Sequence, residues 1–169
     1  MKSILSLAFA LVALFSVSTA VAQNPHFNNK NSPTVTVTKY CDGNSSYFIV
    51  RAEGTVYGLG TIRRAFAHLD YSYTADFNCY NRGADSGPVP GQSGATGSSD
   101  DQPVTVRSGS AAFNLFFTIR AGCKGNALRS DVINLDLTEL ELVVANQTAT
   151  PSLLSYWNGV IINGSTTCQ

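Results

Sequence analysis

The sequence predicts an all-β protein: an antiparallel β-sandwich, immunoglobulin-like, held by two disulfides. Three observations carry that prediction. Two long segments, Ala67–Cys79 and Ala111–Cys123, alternate apolar and polar residues with a period of two, with Phe116 breaking the polar side of the second. Successive side chains of a strand point to opposite faces, so each segment reads as a strand with one dry face. The segments between the apolar runs are rich in Gly, Pro and Ser, and no run has the spacing or caps of a long helix. Finally, Cys41, Cys79, Cys123 and Cys168 make an even cysteine count behind an export signal.

Residues 1–22 carry that signal. Lys2 supplies a positive start, Ile4 to Val17 is apolar, and Ala20-Val21-Ala22 is a small-x-small cleavage site. The apolar run is short for a spanning helix of about 20 residues. The expected mature chain starts at Gln23 and is secreted, with no membrane insertion. Residues 23–33, rich in Asn with Pro25 and Pro33, are expected to form a flexible N-terminal arm. Residues 34–169 form the single expected domain.

The first strand is Thr34–Cys41, with Val35, Val37 and Cys41 on one parity and threonines on the other. Tyr47–Ala52 is β-rich without clear alternation, as a strand covered on both faces would be. In Ala67–Cys79 the dry face carries Ala67, Leu69, Tyr71, Tyr73, Ala75, Phe77 and Cys79. Asn81–Asp101 has five glycines and few apolar residues and reads as a 21-residue loop, mobile or functional. In Asp131–Val144 the apolar phase moves from odd positions (Ile133, Leu135, Leu137) to even ones (Leu140, Leu142, Val144). One extra residue restores the face, which predicts a β-bulge near Thr138-Glu139. A last strand is expected over Trp157–Ile162.

Parity also selects the disulfides. Cys79 and Cys123 both end long strands on the apolar side, so they are expected to pair. Cys41 would then pair with Cys168. A loop of 40–50 residues closed in this way contributes about 4 kcal/mol in the chain-entropy model.

Charge narrows function. The chain has 11 Lys+Arg and 11 Asp+Glu, with 13% charged residues. Loss of Lys2 with the signal takes the balance to −1. That excludes a basic nucleic-acid binder. A 44% hydrophobic content excludes a disordered chain.

Gly58-Leu59-Gly60, the alternating strand, Cys79-Tyr80-Asn81-Arg82-Gly83, Pro90-Gly91-Gln92 and Cys123 together resemble an uncharacterised family of small secreted, mostly bacterial all-β proteins. The resemblance runs from about Gly58 to Leu142. Ala84 stands where that pattern has a second glycine, and Cys41 and Cys168 fall outside it. It implies an exported all-β domain and supplies no active site.

Catalytic signatures are not found in the sequence. There is no HExxH, GxSxG or P-loop, and no cofactor is expected. His26 sits in the arm, and His68 is expected on the solvated face of its strand. The carboxylates of Asp70 and Asp76 would be about 20 Å apart along one strand, too far to cooperate. Glu139 and Glu141, about 7 Å apart, read as a solvated face. Two binding sites are entertained. Asn78, Asn81, Asp85, Asp100 and Asp101 would offer oxygen ligands for calcium around a turn. Tyr80, Tyr156 and Trp157 would offer a ligand platform, although Trp157 is more simply read as packed. The expected function is a secreted, non-catalytic binding or structural module with an extracellular protein or glycan as partner. The alternative is a carbohydrate-binding or enzyme-inhibiting protein that uses the 81–101 loop.

Overall fold

Strand alternation decides which side of each segment is dry, and the computed structural model follows it closely. It describes residues 24–43, 45–81, 88–123 and 127–164. The expected signal, Asp85 and Cys168 lie outside these. The strands are β1 (Thr34–Asp42), β2 (Ser45–Val56), β3 (Arg64–Asn81), β4 (Val89–Ser98), β5 (Gln102–Thr105), β6 (Ala111–Arg120), β7 (Ala127–Val144), β8 (Gln147–Thr148) and β9 (Ile161–Asn163).

These nine strands hydrogen-bond into one open sheet, in the order β4-β3-β7-β2-β1-β9. β5 also pairs with β3, β6 with β2, and β8 with β7. The sheet is mixed, which corrects the expectation of antiparallel pairing throughout. β9 runs parallel to β1 from Val37↔Ile161 to Lys39↔Asn163, and β2 meets β7 in parallel at Ser45↔Ser130. The cause is the route to β9. After β8 the chain turns through a short 3₁₀ segment, Leu153–Tyr156, and crosses over to β1. Ser152 starts that turn: its hydroxyl accepts from Leu154 N and donates to Leu140 O. The expected strand over Trp157–Ile162 is therefore reduced to Ile161–Asn163.

Two layers of strands within this sheet, β4-β3-β7 and β9-β1-β2-β6, line one core. From the first layer come Ala67, Leu69, Ala75 and Phe77 of β3 and Val132, Leu135, Leu137, Leu140, Leu142 and Val144 of β7. From the second come Phe48, Val50 and Ala52 of β2 and Phe113, Leu115, Phe117 and Ile119 of β6. Tyr71 of β3 stacks on Phe117 of β6 at 3.9 Å between ring centroids. Full burial of one such side chain contributes roughly 1.5–3 kcal/mol.

The β7 bulge falls where the phase shift places it. Ser72 pairs with Glu139 and Tyr73 with Leu137, so Thr138 is the extra residue. Its hydroxyl donates to Ser72 O. A second bulge was not expected. Asp76 pairs with Asn134 and Phe77 with Val132, which leaves Ile133 unpaired and 51% exposed while Val132 turns inward.

Two segments expected to be irregular are ordered by pairing. Within the 81–101 stretch, Val89–Ser98 is β4, matched to β3 from Cys79↔Val89 to Asp70↔Ser98. Its small residues fit beneath large ones. A Cβ on Gly91 would lie 2.4 Å from the Phe77 ring. The N-terminal segment is docked as well. His26 and Tyr57 exchange backbone hydrogen bonds, Phe27 N donates to Thr150 O, and Phe27 is buried against Phe113 and Tyr156. An apolar side chain in an otherwise polar segment gave it somewhere to bind.

Candidate functional site

The expected Cys79–Cys123 disulfide is present, with 5.8 Å between Cα atoms and 44 residues of separation. Cys41 is not a free thiol. The pairing expected for it, with Cys168, involves a residue outside those described.

The calcium set is not brought together. Because β4 runs back along β3, Asp100 and Asp101 lie at the opposite end of β3 from Asn78. Ten residues of strand separate Asn78 from His68, the partner of Asp101, or about 33 Å at the usual rise. The side chains of Asn81 and Asp85 are outside the described residues. Among the described residues no group of three His, Cys, Asp or Glu side chains is arranged to hold a metal.

The aromatic platform is also dispersed. Arg129 lies over the Tyr80 ring at 5.0 Å. Tyr156 packs edge-on to Phe27 at 5.8 Å, and Trp157 packs against the core. The Trp157 indole N–H is buried with no hydrogen-bond partner among the described residues.

His68 is more engaged than expected. Its Nδ1 is 2.7 Å from Asp101 and its Nε2 is 3.5 Å from Asp70. The Ser98 hydroxyl donates to Asp70, not to the ring. Both imidazole nitrogens thus face carboxylates, and no hydroxyl among the described residues is hydrogen-bonded to the ring. The arrangement fastens the β4–β5 connection to β3, helped by Leu69 N donating to Ser99 Oγ.

Another carboxylate joins the two layers. Asp131 of β7 accepts from Ser46 Oγ at 2.6 Å and contacts Lys39 Nζ at 2.7 Å. Burial alone would raise its pKa. The hydrogen bonds from Lys39 and Ser46, with the charges of Lys39 and Arg129, outweigh burial and hold it below the ordinary carboxylate value. At the margin of the core, burial and then Tyr71 push the pKa of the half-buried Tyr73 phenol up.

The outward faces differ. On β4-β3-β7 the rungs read Ser98–Asp70–Glu141, Thr96–Ser72–Glu139, Gly94–Thr74–Asp136 and Gln92–Asp76–Asn134. On β9-β1-β2-β6 they read Tyr40–Tyr47–Arg120, Ile162–Thr38–Ile49–Thr118 and Thr36–Arg51–Phe116. Tyr40 and Tyr47 stack at 5.9 Å, and Arg120 covers Tyr47 at 4.6 Å. Phe116 and Ile162 stand 56% and 50% exposed. β6 pairs only with β2, so its other edge is unpaired among the described residues. Phe116 and Leu115 there border a cleft of about 150 Å³ shared with Ser99, Asp100 and Gln102. Sequence reasoning missed this face. Its signals were Phe116, the apolar residue that breaks the polar side of β6, and the lack of alternation in Tyr47–Ala52, which puts Tyr47 and Ile49 on this face.

No family model, curated protein or solved structure matches the chain. The likeness of Gly58–Leu142 to small secreted proteins stays a likeness of motifs. Among the described residues no helix is long and apolar enough to cross a membrane.

Proposed function

We propose that the protein is an exported, non-catalytic β-sandwich, immunoglobulin-like in its facing layers, that binds an extracellular protein or glycan. The outward face of β9-β1-β2-β6 is the binding surface. One observation carries this reading: Phe116 and Ile162 stand exposed on that face with the half-buried Ile49. Ile162 and Ile49 share a rung on either side of Thr38, and Phe116 stands one rung on at the unpaired edge of β6, flanked by Arg51 and Arg120. Exposed apolar side chains gathered on one face gain by burial against a partner, while rim charges set orientation. The Cys79–Cys123 bridge supports an oxidising compartment.

The test is capture of ligands from glycan and secreted-protein panels by the intact protein and by a Phe116→Ser/Ile162→Ser variant. Loss of a captured ligand at unchanged melting temperature supports the reading. Equal capture by both, or turnover in a broad hydrolase screen that one carboxylate substitution abolishes, overturns it.

A further inference from the structure

The start of β3, at the far end of that strand from Cys79, gathers positive charge. Arg63 and Arg64 lead into β3, and Arg64 pairs with Thr105 of β5. Beyond β5 the chain reverses through Arg107–Ser110, where Arg107 N donates to Ser110 O at 2.8 Å and Ser110 N to Arg107 O at 3.0 Å. The central residues, Ser108 and Gly109, have φ of 50° and 75°. Two left-handed residues make the tight reversal that suits a twisted hairpin, and serine is an unusual choice for the first of them. Val106 N donates to Arg63 O and Leu59 N to Gly109 O, so this turn is fastened to the one that precedes β3.

Two adjoining open grooves result. The first, about 620 Å³, is lined by Arg63 and Arg64 with Thr61, Thr105 and Ser108. The second, about 450 Å³, is lined by Arg107 with Thr55 and Ser110 and shares Thr105 with the first. All three arginines are exposed. Among the described residues none of them is in an ion pair, and no residue lining either groove is acidic. Three other cations are committed: Lys39 to Asp131, Arg120 to Tyr47 and Arg129 to Tyr80. A chain with equal numbers of acidic and basic residues has thus placed three uncommitted guanidinium groups at one end.

We infer that the two grooves form one binding site for an acidic polysaccharide. Arg63, Arg64 and Arg107 would take its carboxylate or sulfate groups, and Thr105, Ser108 and Ser110 its hydroxyls. The planar guanidinium forms paired hydrogen bonds with carboxylate and with other oxyanions. Hydroxyls between the arginines suit the neutral part of each sugar. No aromatic residue lines the grooves, so there is no platform for stacking nucleobases. Neither groove includes Phe116 or Ile162, so the inference stands apart from the binding face described above.

The test measures binding to polygalacturonate, heparin, neutral dextran and duplex DNA for the intact protein, R63Q/R64Q/R107Q and R63K/R64K/R107K. Binding to polygalacturonate or heparin but not dextran, weakened by salt, is expected; which polymer binds separates carboxylate from sulfate. The glutamine variant should bind at least about tenfold more weakly, and the lysine variant should keep part of the affinity. If the glutamine variant melts early, R107Q alone carries the test with a loss of about threefold or more. Phe116→Ser should bind as the intact protein does. Unchanged binding by the arginine variants, equal binding to dextran, no binding to either acidic polymer at low salt, or tighter binding to duplex DNA overturns the inference.

Discussion

On the outward side of β4-β3-β7 the matched rungs are polar and several of their side chains bond one another, with Phe66 and Ile133 the exposed apolar exceptions. Ser98 donates to Asp70, Gln92 to Asp76 and Thr96 to Ser72. Five carboxylates, Asp70, Asp76, Asp136, Glu139 and Glu141, share the matched rungs. On the outward side of β9-β1-β2-β6, Ile162 and Phe116 stand half exposed and Ile49 is half-buried, with Phe116 bordering the cleft beside Ser99 and Gln102. The inward sides of both layers are alike, filled by Val, Leu and Phe. Folding therefore constrains the inner faces equally and leaves the outer ones free to differ. Covering the first outer face would desolvate carboxylates, which is costly. Covering the second removes apolar surface from water, worth about 25 cal/mol per Å². This difference favours the second layer as the proposed binding face.

The sharpest way to separate folding from binding is the neighbouring pair Phe117 and Phe116 on β6. Phe117 is 7% exposed and stacked on Tyr71, whereas Phe116 is 56% exposed on the opposite side. Phe117→Ala should cost about 3–5 kcal/mol in urea unfolding, by lost transfer energy and a cavity between the layers. The same truncation at Phe116 should cost less than about 0.5 kcal/mol. Similar losses at both positions would mean that the outward face is part of the folding core.

Phe116 and Phe117 also show how far the sequence could be read. Parity placed Phe117 inside and marked Phe116 as the exception, and the phase change in β7 located the bulge at Thr138. It did not locate the one at Ile133, because Val132 and Ile133 are both β-branched and either could face inward. β4 was hidden for a different reason. Its inward positions are Val89, Gly91, Ser93, Ala95 and Gly97, small because the Phe77, Tyr73 and Tyr71 side chains fill that space from β3. A strand packed through its neighbour's side chains has no hydrophobic pattern of its own. The arginine grooves were illegible because Arg63 and Arg107 come from separate turns, joined by the pairing of β3 with β5 and by backbone hydrogen bonds between the turns. The docked arm had a signal, Phe27, that its polar surroundings obscured.

A smaller effect distinguishes Asp131 from the carboxylates of the outer face. Its pKa is held below the ordinary value in the folded state, so the folded state binds fewer protons than the unfolded chain in the acid range. Its stabilisation is then fully present above the unfolded carboxylate pKa, near 4, and is lost as pH falls through the lower folded value. Asp131→Asn should lower stability at neutral pH. The two melting curves should converge as the pH drops from about 4 towards about 2. A gap between them that stays constant with pH would show that Asp131 acts through packing and not through its charge.

The smallest effect is expected on the acidic face itself. Glu141 stands directly opposite Asp70, and Glu139 is one rung further along. Like charges directly opposite on a sheet face repel by a few tenths of a kcal/mol. The double variant Glu139→Gln/Glu141→Gln should therefore gain that much stability, or stay within about 0.5 kcal/mol of the original. It should also keep both the ligand of the apolar face and any polymer in the arginine grooves, because neither site includes these residues. A weakened ligand would mean that the satisfied, charged side of the molecule is the functional one. The assignment of roles to the two faces would then have to be exchanged, since hydrogen bonds within a face do not by themselves prevent it from binding a cation-bearing partner.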